Sequence, residues 1–159
     1  MEPTRDELLR MDDEALLRLC RCEACRGVGP GGQKRNKTST AVRVTYEPRG
    51  LSALDDVTRS QHLNRQNALR KLRLEIALNW REPPTVWTEE LPGVHATAFA
   101  RWAACMMDAL EATAFRVSEA AALLNMSTGR LNRELLKHPA LWQRMNEERV
   151  KRGLGALKA

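Results

Sequence analysis

The strongest constraint on this chain is a stretch that cannot build a core. Residues 27–40, GVGPGGQKRNKTST, hold four glycines, one proline and three cationic side chains, with Val28 the only large apolar residue. Strand-like runs flank it. LLRLCRCEAC (16–25) alternates apolar with charged residues; TAVRVTYEP (40–48) alternates more clearly, with Val42, Val44 and Tyr46 at one parity and Arg43, Thr45 and Glu47 at the other. A connection of fifteen residues between neighbouring strands far exceeds the usual hairpin loop of about two to five, so it is either disordered or held for use. Gly31 and Gly32 permit positive φ and carry no Cβ, so the backbone there can press against another molecule and offer it N–H groups.

The remaining pattern predicts what surrounds that loop. Residues 4–17 read as a short acidic helix with Leu8, Leu9, Ala15 and Leu16 as its apolar positions. PRG at 48–50 is a tight turn into a third short strand, GLSAL. Thr58 and Gln61 fit a capping box at the start of a helix running to about Trp80. Its stripe of Leu69, Leu72, Ile76 and Trp80 would cover the sheet while Arg70 and Lys71 point away. REPPTVWTEELPG (81–93), with three prolines and no helical period, reads as a linker.

Four helices are predicted beyond it. Val94, Ala98, Trp102, Cys105 and Ala109 mark the first; Ser118 would cap a second with Val117, Ala120, Ala121 and Leu124 inward. After a turn at 125–127, a third from Thr128 to Lys137 buries Leu131 and Leu135, and Pro139 opens a fourth that Gly153 ends. The expected class is α+β: a small β-sheet with a long packed helix, followed by an all-α C-terminal extension. Its segments are an acidic helix (1–15), a sheet-and-helix domain (16–80), the linker (81–93) and a helical bundle (94–159).

A chain of 159 residues suits one compact domain, or a small domain with a helical unit. No apolar run reaches the roughly 18 residues of a membrane span, and the N-terminus is acidic where a targeting peptide would be basic, so the chain is expected to stay in the cytoplasm. Its four cysteines are then expected as free thiols. The net charge of +6 is uneven: residues 1–17 carry −4, residues 18–80 carry +8 and residues 81–159 carry +2. A positive middle segment favours a polyanionic partner such as RNA or DNA, a merely solvated basic face being the alternative.

Several chemistries fail on spacing. Gly27, Gly29 and Gly32 satisfy the letters of a dinucleotide fingerprint, but the polar run after them opens no amphipathic helix; Gln33 stands where a Walker A loop needs lysine. Cys20, Cys22 and Cys25 raise the question of zinc, yet the only other cysteine, Cys105, is isolated. The plainer reading puts Cys20 and Cys22 on one side of a strand as small buried hydrophobes. His62, His95 and His138 lie beside no nucleophile in a local motif and suit surface or cap roles. Residues 118–137 could form a helix-turn-helix reading nucleic acid through Thr128, Arg130 and Arg133. A small bundle looks the same, and the low charge of residues 81–159 favours it.

GPGGQ at 29–33, NK at 36–37, TAVR at 40–43, RSQ at 59–61 and NR at 64–65 together resemble the catalytic domain of class I peptide chain release factors, over about residues 16–80. The resemblance implies a peptidyl-tRNA hydrolase acting in the ribosomal peptidyl transferase centre, without a cofactor or metal. Gly31, Gly32 and Gln33 would be the catalytic tip, the Gln33 backbone N–H stabilising charge on oxygen and its side chain admitting water. Lys34, Arg35, Asn36, Lys37, Arg43, Arg59, Gln61 and Arg65 would hold ribosomal RNA or the P-site peptidyl-tRNA. Many relatives have Ser and His where this chain has Val28 and Lys34.

With only about fifteen residues before the first predicted strand, the chain is expected to lack a codon-reading region. It is therefore similar to the short relatives that rescue stalled ribosomes. It would act as a monomer on the ribosome, with its C-terminal helices free to meet the small subunit, the mRNA channel or a partner protein, and ERVKRGLGALK as a modest basic end.

Overall fold

The computed structural model describes residues 1–25 and 40–159, which divide into two compact units, Met1–Ile76 and Ala77–Ala159. The architecture is α+β, a three-stranded antiparallel sheet and a long helix followed by four more helices. No helix among the described residues is long and apolar enough to cross a membrane.

The first unit begins with two helices where one was predicted, α1 (Arg5–Arg10) and α2 (Asp13–Arg18). Thr4 and Glu7 form a capping box on α1, with Glu7 N donating to Thr4 Oγ1 at 3.2 Å and Thr4 N to the Glu7 carboxylate at 2.7 Å. Met11 is extended, and Asp12 caps a fresh helix by accepting from Ala15 N at 2.8 Å. Arg73 braces the break, donating to Met11 O and to Asp13 Oδ1, each at 2.9 Å. Leu8, Leu9 and Leu16 are all buried, so the break serves to turn both short helices toward one core.

Residues 16–18, expected to open the first strand, therefore belong to α2, and β1 is only Arg21–Cys25. It pairs with β2 (Ala41–Tyr46), which pairs with β3 (Leu51–Asp55). Val42, Val44 and Tyr46 are buried and Arg43 is exposed, the alternation read from the sequence. Residues 21–24 of β1 are exposed, which corrects the expectation of inward cysteines: Cys22 is exposed, while Cys20 and Cys25 are half-buried. As an edge strand β1 carries charge instead, with Arg21 paired to Glu23 at 3.4 Å and to Glu47 at 2.9 Å. The β2–β3 turn runs through a 3₁₀ segment, Glu47–Arg49, and closes at Gly50, whose φ of +62° suits glycine.

Helix α3 (Gln61–Asn79) follows. Its buried Leu69, Leu72 and Ile76 join Val42, Val44, Tyr46 and the leucines of α1 and α2 as the apolar core of this unit. Each such side chain contributes roughly 1.5–3 kcal/mol by leaving water. The hydroxyl capping α3 is that of Ser60, which accepts from Leu63 N at 3.2 Å, and not Thr58 as predicted. Thr58 is engaged elsewhere, its hydroxyl donating to Asn64 Oδ1 at 2.7 Å.

In the second unit the end of α3 is closed by arginines. Arg81 donates to Ala77 O at 2.8 Å and also to Leu78 O, and Arg144 donates to Leu78 O at 3.1 Å and Asn79 Oδ1 at 2.9 Å. Residues 81–93 form no helix or strand, but they are bonded along α4 (Phe99–Ala112). Glu82 N donates to Asp108 Oδ1 at 3.0 Å, Cys105 Sγ to Thr85 O at 3.1 Å, and Arg101 pairs with Glu89 while lying 5.3 Å from the Trp87 ring centroid. Helix α4 starts at Phe99 rather than at Val94, which is exposed, because Gly93 O and Ala96 O are taken by turn bonds from Ala96 N and Phe99 N.

Ala114 and Phe115, both at positive φ, end α4 and set the next helix, α5 (Val117–Leu123), two residues earlier than a Ser118 cap would place it. Arg116 is its N-cap, with no side-chain bond, and Ser118 lies inside it. Asn125, at φ +54°, turns the chain into α6 (Thr128–Leu136), capped by Ser127. Helix α7 (Pro139–Lys151) carries proline in its first turn and His138 as cap, Nδ1 accepting from Ala140 N at 3.2 Å. The basic end does not hang free. Arg149 donates to Phe115 O at 2.8 Å and Gly155 O at 3.1 Å, Arg152 lies 4.5 Å from the Phe115 ring centroid, and Asn146 Oδ1 accepts from Leu157 N at 2.7 Å.

Candidate functional site

Gly31, Gly32, Gln33, Lys34, Arg35, Asn36 and Lys37 lie outside the described residues, as does Val28. What is described is the frame from which their segment departs and to which it returns. Cys25, the last residue of β1, is the ladder partner of Ala41, the first residue of β2, so both ends of the segment sit on one rung. Antiparallel partners stand about 4.5–5.5 Å apart, which makes this a closed base for a long connection.

The return end is fastened once more. Asn64, fully buried on the first turn of α3, donates through Nδ2 to Thr40 O at 2.8 Å and to Thr58 O at 2.9 Å. Its Oδ1 accepts from Thr58 N at 3.0 Å and from the Thr58 hydroxyl at 2.7 Å. Two donors and two accepting bonds fill the capacity of a carboxamide. One turn along, the buried Asp55 at the end of β3 accepts from Lys71 Nζ at 2.6 Å and from Asn67 Nδ2 at 3.3 Å. The loop between β3 and α3 is thus held to the helix by two polar anchors.

On that loop and the helix start, Arg59, Gln61 and Arg65 are all exposed. The structure brings these three sequence-predicted residues together around the point where Asn64 holds Thr40. Arg65 Nη2 stands 3.5 Å from His62 Nδ1, and neither Arg59 nor Arg65 has a carboxylate partner among the described residues. Arg43 is placed differently, on the exposed face of the sheet, beside Glu23 of β1 and Leu54 of β3 in register. It lies on the side opposite the buried Val42, Val44 and Tyr46 and does not join the cluster at the helix start.

Asn64 is the residue whose role sequence reasoning missed. Its signal was a polar side chain at 64, four and eight residues before the buried Ala68 and Leu72, on the face that should be apolar. The cysteines make no comparable site. Among the described residues no group of three or more His, Cys, Asp or Glu is placed to hold a metal. Burial pushes the Cys20 thiol up to about 11.

Comparison with known proteins shows what this frame is similar to. Residues 16–86 match the family described as the RF-1 domain. Over that stretch, less than half of the chain, the sequence is similar to that domain. Peptide chain release factor 1 of Anaplasma marginale (strain Florida) is 38% identical over 68 residues, 43% of this chain and 18% of that protein. Peptide chain release factor 2 of Paramagnetospirillum magneticum (strain ATCC 700264 / AMB-1) is 44% identical over 57 residues, 36% of this chain and 15% of that protein. Release factor 1 of Wolbachia pipientis subsp. Culex pipiens (strain wPip) is 39% identical over 70 residues, 44% of this chain and 19% of that protein. The chain therefore spans less than a fifth of the length of these curated relatives. No solved structure matches it. The matched residues include the sheet, Asn64 and the cluster at the start of α3, and they end within the segment bonded along α4.

Proposed function

We propose that this chain hydrolyses the ester of peptidyl-tRNA on the ribosome, with the fold of a release-factor catalytic domain over its RF-1 segment. The observation that carries the reading is the match of residues 16–86 to the RF-1 domain with GPGGQ, NK, TAVR, RSQ and NR in order inside it. Water adds to the ester carbonyl carbon, the carbon–oxygen bond to the tRNA breaks, and the products are a free peptide acid and a 3′-hydroxyl. The backbone N–H of Gln33, on a tip thinned by Gly31 and Gly32, donates to the oxygen where charge develops. A single donor of this kind contributes roughly 3–4 kcal/mol in a site shielded from water. Lys34, Arg35, Asn36 and Lys37, with Arg43, Arg59, Gln61 and Arg65, hold ribosomal RNA or tRNA phosphates.

In its finer form the reaction needs no stop codon and frees stalled ribosomes, in the cytoplasm and as a monomer, with the helices beyond the RF-1 domain meeting the small subunit, the mRNA channel or a partner protein. Release of labelled peptide from ribosomes programmed with stop-codon, sense-codon and truncated messages tests both levels. Release on truncated message is expected, and release confined to stop codons would remove the rescue reading while keeping the hydrolase.

Gln33→Pro deletes the N–H itself and is expected to lower the rate by about 100-fold or more, while Gln33→Ala, which keeps it, costs less. Wild-type protein without turnover, or Gln33→Pro at the wild-type rate, would overturn the hydrolase. A second reading, nucleic-acid binding through α5 and α6, draws on the exposed Arg130 and Arg133, neither of them ion-paired among the described residues. Duplex binding that is lost in Arg130→Ala/Arg133→Ala, in a protein without turnover, would favour it.

A further inference from the structure

Helix α6 presents a face that its own unit leaves uncovered. Leu131 and Leu135 are fully buried, while Gly129, Arg130, Arg133, Leu136 and Lys137 are exposed and, at 3.6 residues per turn, share the opposite side. The one carboxylate of α6, Glu134, is held by Lys137, whose Nζ stands 2.7 Å away. Arg130 and Arg133 have no ion-pair partner among the described residues.

Gly129 sits among those cations without a reason inside the molecule. A glycine at an exposed helix position is less stable than alanine, so its presence calls for a steric cause. The fold supplies none: a Cβ at Gly129 would meet only Arg133 Nη1, at an ordinary 3.9 Å, and the residue lies in helical backbone. The Arg133 guanidinium therefore stands beside bare main chain. What the missing methyl leaves open is approach from outside, where an anion drawn to Arg133 can come down onto the helix surface. The turn before α6 holds this face still, with Met126 N donating to Ala121 O at 3.0 Å and Ser127 Oγ accepting from Arg130 N at 3.1 Å.

We propose that this face of α6 docks on the sugar–phosphate backbone of an RNA duplex, with Arg130 and Arg133 on phosphates and Gly129 at the point of closest approach. This rests on the α5–α6 reading above and departs from it in being compatible with turnover. A duplex fits better than a single strand, because the exposed strip has no aromatic side chain on which an unpaired base could stack. RNA fits better than DNA. The strip offers no Asn or Gln to read adenine in a major groove, whereas an A-form helix is met across its wide minor groove through phosphates and 2′-hydroxyls. The choice of RNA also rests on the hydrolase reading, which puts the chain on an RNA particle.

The test is titration of the full nitrogen-15-labelled chain with an RNA hairpin of about 16 base pairs. Affinity is read from the backbone amide signals of residues 128–137, so that binding elsewhere on the chain is not counted, and the thermal midpoint of every variant is measured. Gly129→Ala is expected to weaken binding about fivefold or more while the midpoint rises by roughly 1–3 °C, because alanine is the better helix former and has room. A glycine that served only the fold would give the opposite sign in the midpoint. Arg130→Ala/Arg133→Ala is expected to weaken binding about 10-fold or more and to reduce the slope of log affinity against log salt by roughly 1.5 to 2. Lys158→Ala removes a like charge from the exposed C-terminal end and should change affinity less than about twofold.

Wild-type affinity in Gly129→Ala, a lowered midpoint in that variant, or a Lys158→Ala loss as large as that of the double arginine variant would overturn the proposal. Tighter binding of a DNA hairpin of the same sequence overturns the assignment to RNA. If neither hairpin shifts the signals of residues 128–137, the α5–α6 reading fails and this proposal with it. If they shift with the expected losses in a protein that releases no peptide from stalled ribosomes, the hydrolase reading fails and the docking face stands.

Discussion

Arginine is used in two opposite ways in this molecule. Around the start of α3, Arg59 and Arg65 extend into solvent without a carboxylate partner among the described residues. In the second unit Arg81, Arg144 and Arg149 turn inward to cap carbonyls, and Arg152 lies over the Phe115 ring and pairs with Glu148 at 2.6 Å. The first pair does nothing visible for the fold. The second set ties down the end of α3, the turn between α4 and α5, and the C-terminal residues. A guanidinium has five donors in a rigid fork, so it can either grip two or three carbonyls at a chain reversal or stay open for phosphates. Charge counting alone cannot tell these uses apart.

That comparison breaks if the exposed pair proves structural. Arg59→Ala/Arg65→Ala is expected to weaken ribosome association about 10-fold or more near physiological salt, and to reduce the slope of log affinity against log salt by roughly 1.5 to 2, while the thermal midpoint stays put. An unchanged salt slope would remove both residues from the interface. Arg149→Ala should do the reverse. It strips donors from the carbonyls of Phe115 and Gly155, at a cost of about 2 kcal/mol that comes mainly from the part-buried bond to Phe115, the one to Gly155 being exposed, and should leave the salt dependence of ribosome association unchanged. Thermal unfolding and ribosome binding of the two variants, measured side by side, sort the arginines by use.

Strand alternation in β2 and the stripe of α3 were legible because each has a period that burial enforces: Val42, Val44 and Tyr46 in one, Leu69, Leu72 and Ile76 in the other. The same holds for Leu131 and Leu135 of α6 and for Pro139 at the start of α7. What escaped was set by competition among local bonds. Asp12 outbids the alternation of residues 16–19 by capping a helix, and Ser60 takes the cap assigned to Thr58 because Thr58 is drawn to Asn64. Ser118 loses its expected cap to a turn of two left-handed residues that no propensity predicts for Ala114 and Phe115. Of the candidate site, Arg59, Gln61 and Arg65 came from the resemblance and not from helix phase, since Arg59 precedes α3 and phase placed only Arg70 and Lys71 outward. The separation of Arg43 from them needed the sheet, since parity shows that a side chain faces outward but not which other cations share that face.

The last test asks whether the inward-facing bonds of the second unit respond to pH as a cationic surface would not. His138 caps α7 by accepting at Nδ1, and its ring stacks on Phe99 with centroids 5.2 Å apart. Burial, with a smaller contribution from His95, lowers its pKa below the ordinary 6.5. An imidazole that is harder to protonate when folded gains protons first in the unfolded chain. Its contribution to stability is therefore complete above about pH 6.5 and is lost as pH falls from there toward the lowered folded value. Protonation also removes the lone pair that accepts from Ala140 N. His138→Asn keeps a capping acceptor and cannot titrate, so wild type should lose more of its thermal midpoint between pH 7.5 and 5.5 than the variant does. Equal losses would show that the cap is not the group that titrates.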